Sequence, residues 1–264
     1  MNDVLQAFMM ALLAGLSTGI GSIIAVVFGK TSPRYTSFTL GFSAGVMMYV
    51  SLTEIIIKAR DALTADLSVR LGTGITLVSF FGGILLIALI GRLIPSFEGE
   101  ACEKSLVRMK KQKALQLIRA GLFPAFAIAL HNFPEGMATF VSALRDPSVA
   151  VPIVIAIAIH NIPEGIAVAV PVLRVTKSKK AAFFISLFSG ITEPIGALLC
   201  WLLLMPVMSD TVMGIIFAAA AGVMVYICAD EILPAAQREG EHSLSVMGFV
   251  FGMGLMAVSL YLFI

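Results

Sequence analysis

His131-Asn132-Phe133-Pro134-Glu135-Gly136 and His160-Asn161-Ile162-Pro163-Glu164-Gly165 are one hexapeptide written twice, differing only at its third position, each copy set in a run of apolar sequence. A charged or strongly polar side chain in hydrocarbon is costly unless something compensates it. Two Glu and His pairs in neighbouring apolar segments therefore read as a site for a cation. The chain has 3 histidines, and two of them stand in these copies.

Outward from the hexapeptides the chain stays apolar. Over 264 residues it is 59% hydrophobic and 13% charged, with a mean hydropathy of +0.99. That composition places it among polytopic membrane proteins, with the lipid bilayer as its surroundings and no nucleic-acid partner expected. Apolar stretches run over 5–28, 38–57, 72–94, 117–141, 149–173, 181–206, 212–234 and 244–264, each near the ~20 residues that cross the hydrocarbon layer as helix. The expectation is an all-α, polytopic chain of eight transmembrane helices forming one transmembrane domain over 1–264, with both termini on the same side. Met1-Asn2-Asp3 lacks the basic start of a cleaved signal peptide, so the first apolar run counts as the first span.

Of the 18 Lys and Arg, 14 fall in loops one, three, five and seven and 4 in loops two and four. The positive-inside rule then puts both termini outside the cytoplasm of a cell-membrane protein and makes 95–119 a cytosolic loop between helices three and four. That loop opens with Glu98, Glu100, Cys102 and Glu103 and closes with Arg108, Lys110, Lys111 and Lys113. It reads as a solvated linker. Cys102, Cys200 and Cys228 show no CxxC spacing, which argues against a disulfide framework.

A second internal likeness joins the two ends. Ala44-Gly45-Val46-Met47-Met48-Tyr49 returns as Ala221-Gly222-Val223-Met224-Val225-Tyr226, and the same offset carries Glu54-Ile55 onto Glu231-Ile232. At nearly that offset, Gly15-Leu16-Ser17-Thr18-Gly19-Ile20-Gly21 resembles Gly190-Ile191-Thr192-Glu193-Pro194-Ile195-Gly196. More weakly, Phe81-Gly82 resembles Phe251-Gly252, a match that shared Gly-rich composition would also give, so that spans one to three pair with six to eight around the antiparallel pair four and five. This is an inverted repeat, the architecture of alternating-access transporters with a midplane site. Gly15 and Gly19, Gly41 and Gly45, and Gly248 and Gly252 each stand one helical turn apart, a spacing that lets helix backbones approach closely.

Within each hexapeptide His and Glu are i and i+4 on one helix face, and Asn is i+3 from the same Glu. Each proline removes a backbone donor, freeing the carbonyls of Leu130 and Ile159 and kinking the helix. Glu193-Pro194 repeats the device in span six. His131, Asn132, Glu135, His160, Asn161, Glu164 and Glu193 are accordingly the candidate metal residues. Imidazole with carboxylate suits Zn²⁺, Fe²⁺, Mn²⁺ and Co²⁺, whereas Mg²⁺ or Ca²⁺ favours oxygen alone. A proton relay would explain the acids but not the paired asparagines, whose amides do not titrate. Glu54, Asp230 and Glu231 stand near opposite mouths and read equally as outer- and inner-mouth ligands or as helix-end carboxylates. His242, beside Glu239 and Glu241, reads as part of a solvated turn.

At these residues the chain resembles the ZIP family, the Zrt- and Irt-like divalent-metal transporters, and within it a bacterial branch. The HNxPEG motifs in spans four and five carry that resemblance, which extends over essentially the whole chain. It implies import of divalent cations, zinc foremost and also iron, manganese, cobalt or cadmium, through a binuclear site, with the metal as cargo and no cofactor. It also implies that His131, Glu135, His160 and Glu164 hold one ion. Asn132, Glu135, Asn161, Glu164 and Glu193 would hold its neighbour, with both glutamates of the hexapeptides bridging. Spans one, four, five and six would move against two, three, seven and eight, and Asp230 with Glu231 would serve release. The third loop has no histidine cluster, so no zinc-sensing role is expected there.

Two other classes compete. An intramembrane metalloenzyme would carry a HExxH helix, and none is present. A metal-gated channel would share the ligands but conduct without a turnover step. An ATP-driven pump would need a GxxxxGK[ST] loop, which is also absent. The sequence leaves open whether two copies form a homodimer.

Overall fold

A backbone in lipid must satisfy its own hydrogen bonds, so apolar runs of this length become helices. The computed structural model describes residues 2–28, 32–93, 114–115, 117–145, 150–205, 209–238 and 241–262, and its elements there are helical. We label the helices α1 (Asn2–Phe28), α2 (Pro33–Asp66), α3 (Val69–Leu93), α4 (Phe123–Arg145), α5 (Ala150–Thr176), α6 (Lys179–Leu199), α7 (Asp210–Gln237) and α8 (His242–Leu262). Six of them, α1, α2, α3, α6, α7 and α8, are long and apolar enough to cross a bilayer. The other two carry the hexapeptides. Most of the stretch between α3 and α4, with Cys102 and the charged residues expected in the third loop, lies outside the described residues.

Serine caps start several of the helices. Ser32, Ser178 and Ser209 accept hydrogen bonds from the backbone N–H of Tyr35, Ala181 and Val212, satisfying donors that the first turn leaves over. The second helix runs past its expected end at residue 57 to Asp66. Lys58, Arg60 and Asp61 end the apolar run but not the hydrogen-bond ladder, which continues in a polar setting. Two helices widen by one residue at matching places. In α2 the N–H of Ile56 reaches back to the Ser51 carbonyl, and in α7 that of Leu233 reaches the Cys228 carbonyl. These wide turns, Ser51–Ile55 and Cys228–Ile232, stand at the same offset as the likeness between Glu54-Ile55 and Glu231-Ile232.

The helices sort into two packed groups. In one, α1 packs on α5, α6 and α4, and α4 and α5 pack on α6; in the other, α2 packs on α8, and α3 and the end of α2 pack on α7. Between the groups, α2 lies against α5 and α7 against α4. Glycines set the closest approaches. A Cβ on Gly41 or Gly45 would overlap the Ser245 or Phe249 carbonyl of α8, and one on Gly222 would overlap the Phe80 carbonyl of α3. An apolar groove of about 420 Å³, lined by Phe42, Ile159, Ile162, Pro163, Leu255 and Val258, lies on the seam where α2, α5 and α8 meet. Leu77, Val78, Phe81 and Leu85 of α3, with Val250, Phe251 and Val258 of α8, face outward, as a lipid-exposed surface requires.

Candidate metal centre

Both hexapeptides sit mid-helix, and α4 and α5 run unbroken through Pro134 and Pro163; Pro171 is a further proline inside α5. The glycine that closes each copy decides how tightly the helix is held. A Cβ on Gly136 would collide with the Glu193 backbone of α6, and one on Gly165 with the Thr18 carbonyl of α1. The contacts are reciprocal, since Gly196 of α6 abuts the Phe133 carbonyl and Gly21 of α1 abuts that of Ile162. Two backbone-on-backbone crossings thereby bring α4 against α6 and α5 against α1 at the level of the hexapeptides.

The asparagines lock these crossings. Asn132 donates its amide to the Ser189 carbonyl of α6 at 3.2 Å, and Asn161 donates to the Ala14 carbonyl of α1 at 3.1 Å and to the Glu193 carboxylate. With the amide nitrogens so used, the side-chain oxygens of Asn132 and Asn161 are left buried and without a partner.

Of the seven candidates on α4, α5 and α6, His131, Glu135, His160 and Glu164 contact one another, Asn161 contacts Glu193, and Asn132 contacts the Ser189 carbonyl. His160 Nε2 is 2.7 Å from Glu135 Oε1, a hydrogen bond between helices. The expected i, i+4 pairing within α4 is longer, with His131 Nε2 at 3.5 Å from Glu135 Oε2, and the same nitrogen stands 4.0 Å from Glu164 Oε1. The shortest of these contacts therefore crosses between helices. Glu164 and Glu193 are 0% exposed. Both carboxylate oxygens of Glu164, both ring nitrogens of His131 and Oε2 of Glu135 and of Glu193 are buried without a hydrogen-bond partner.

Leaving a buried polar group unpaired costs about 1–3 kcal/mol, and more for a charge. Several such atoms lie unpaired on α4, α5 and α6, and a cation is one chemistry that could compensate them. Three carboxylates, two imidazoles and two amide oxygens fit a borderline divalent ion. Among the described residues, no three histidine, cysteine or acidic side chains stand together as a group that could hold a metal ion as they are placed. The donors are neighbours that still engage each other.

The remaining candidates stand on the other group of helices. Glu54 lies in the wide turn of α2, with Oε1 paired to Lys58 Nζ at 2.6 Å and Oε2 buried without a partner. Asp230 and Glu231 lie in the matching turn of α7. His242 begins α8 at an exposed position, next to Glu241, which pairs with Arg34 at 3.2 Å. Cys200 and Cys228 are buried free thiols. Reading the residues one by one missed the part played by Gly136 and Gly165, although both copies of the hexapeptide end in glycine.

Multiple apolar helices around a buried donor cluster define a multi-pass membrane protein of the transporter class. Residues 97–260 match the family described as ZIP Zinc transporter. The chain is 55% identical over 263 residues to zinc transporter ZupT of Streptococcus mutans, an alignment covering 100% of this chain and 99% of that protein. It is 51% identical over 266 residues to zinc transporter ZupT of Oceanobacillus iheyensis and 48% identical over 265 residues to that of Chlorobium chlorochromatii, each alignment covering 99% of both chains. This chain belongs to the ZIP zinc transporter family.

Proposed function

We propose that this protein imports zinc into the cytoplasm, with iron, manganese, cobalt and cadmium as related cargo, by alternating access through a binuclear site on α4, α5 and α6. One observation carries the reading: Glu164, 0% exposed and unpartnered at both oxygens, has Glu135, His131 and His160 around it. His131, Glu135, His160 and Glu164 hold one ion; Asn132, Glu135, Asn161, Glu164 and Glu193 hold the second, so that Glu135 and Glu164 bridge. The names of the relatives support zinc as the first cargo.

All eight helices cross the membrane in this reading, with both termini outside and 95–119 in the cytosol. Spans one to three repeat as six to eight in inverted orientation. The matched registers support the repeat: α4 meets α6 as α5 meets α1, and the wide turns of α2 and α7 coincide at the same offset. Within this frame α1, α4, α5 and α6 carry the ions and slide against α2, α3, α7 and α8. The apolar seam at Pro163 offers few polar contacts to break in such a movement. Glu54 serves the outer mouth, and Asp230 with Glu231 the inner one.

Purified protein in liposomes tests the proposal. Glu135→Ala and Glu164→Ala should each lower Zn²⁺ uptake by on the order of a hundredfold or more, because removing one partner of a buried charge cluster leaves the others uncompensated. Wild-type uptake by either variant, at equal protein content, would refute the bridging site.

A further inference from the structure

Thr18 of α1 occupies, in one half of the molecule, the place that Glu193 of α6 occupies in the other. The contacts at the two crossings keep one register. Asn161 donates to the Ala14 carbonyl as Asn132 donates to that of Ser189; Gly165 abuts the Thr18 carbonyl as Gly136 abuts that of Glu193; Gly21 abuts Ile162 as Gly196 abuts Phe133. The α1 positions 14, 18 and 21 thus answer to 189, 193 and 196 at one constant offset, while the α4 positions answer to those of α5 at the spacing of the twin hexapeptides. The side chain at this place is a carboxylate on α6 and a hydroxyl on α1.

That hydroxyl is not used where hydroxyls on helices usually are. A helical threonine ordinarily bonds back to the carbonyl about one turn earlier, as Thr39, Thr53, Thr76, Thr139 and Thr176 do in this protein. For Thr18 the carbonyl one turn back is that of Ala14, which instead accepts from the Asn161 amide and from Ser17. Thr18 is 0% exposed, and its Oγ1 has no partner. The side chain lies against Gly190 of α6, one helical turn before Glu193, while its own carbonyl abuts Gly165, next to Glu164.

Resting on the metal site proposed above, we infer that Thr18 Oγ1 is a further oxygen ligand of the second ion position, beside Asn161, Glu164 and Glu193. It is a neutral oxygen where the other half supplies a charged one. A hydroxyl completes the coordination shell without adding a fourth carboxylate, so two dications are held by three negative charges and retain a positive excess that favours release.

The test separates a ligand from a packing residue through zinc titration calorimetry and thermal unfolding of the detergent-solubilised protein. Thr18→Val keeps the side-chain shape and removes an unpartnered buried hydroxyl, so without zinc it should unfold no lower than wild type. Its zinc affinity should fall roughly tenfold, the size of one lost polar contact, with a matching loss of zinc-induced stabilisation. Thr18→Ser should restore both. If Thr18→Val does not fold, Thr18→Ala takes its place with the same expectations for affinity. Wild-type affinity in the hydroxyl-free variant overturns the inference, whatever its unfolding temperature. Glu164→Gln runs alongside: a wild type that binds no zinc, or a Glu164→Gln that binds as wild type does, is a failure of the underlying site and not of Thr18 alone.

Discussion

At the scale of single residues the hexapeptide divides its work. The His and Glu carry buried polar atoms, the Asn spends its amide on a neighbouring helix and leaves its oxygen without a hydrogen-bond partner, and the Gly lets that helix come near enough to be reached. Gly136→Ala should therefore do more harm than its one added carbon suggests. The new Cβ would collide with the Glu193 backbone, which cannot move aside as a flexible side chain could. Overpacking of this kind costs about 1–3 kcal/mol, and here it also drives Glu193 away from Glu135. Gly82→Ala meets nothing within 4 Å and should be neutral or slightly stabilising, since alanine is the better helix former. Unfolding temperature and zinc uptake measured on both variants check this; a Gly136→Ala protein equal to wild type in both would show that the crossing tolerates the extra carbon. The candidate donors were legible because histidine and carboxylate are conspicuous in apolar sequence. Thr18 was not, because a threonine in a membrane helix ordinarily satisfies itself and gives no signal.

Helices end where caps and charge allow, and not where hydropathy falls. The second apolar stretch, 38–57, lies within a helix that starts on the Ser32 cap and runs to Asp66. The seventh, 212–234, extends to Asp210–Gln237 for the same reason, with Ser209 as its cap. Ser209→Ala should lower stability by about 0.5–2 kcal/mol through loss of the bond from the Val212 N–H, while leaving the donor cluster untouched. The readout is a reduced unfolding temperature with unchanged zinc affinity; an unchanged unfolding temperature would show that the cap contributes nothing. Glu54 and Lys58, i and i+4 across the end of the wide turn, form a pair worth about 0.3–0.5 kcal/mol. The wide turns themselves left no mark in the pattern of apolar residues, since one extra residue in a turn changes hydrogen bonding without changing composition.

For the whole molecule, orientation rests on the 14 against 4 division of Lys and Arg between the two sets of loops. In a background lacking Cys102, Cys200 and Cys228, a cysteine placed at Asn2 should react with an impermeant reagent from outside the cell and one placed at Lys179 should not. The opposite labelling would invert the proposed direction of transport. The sequence by itself determined that the chain is helical, lies in the membrane and carries paired His and Glu residues in two repeated segments. Apolar length and i, i+4 spacing are local properties, readable along a single segment. Tertiary structure decided which donors meet: His160 reaches Glu135 on the neighbouring helix more closely than His131 reaches it along its own. It also left Thr18 and Glu164 unpartnered in the interior. Those outcomes depend on the register in which helix backbones touch, and that register is set jointly by glycines on two helices far apart in the chain, a constraint that no single segment contains.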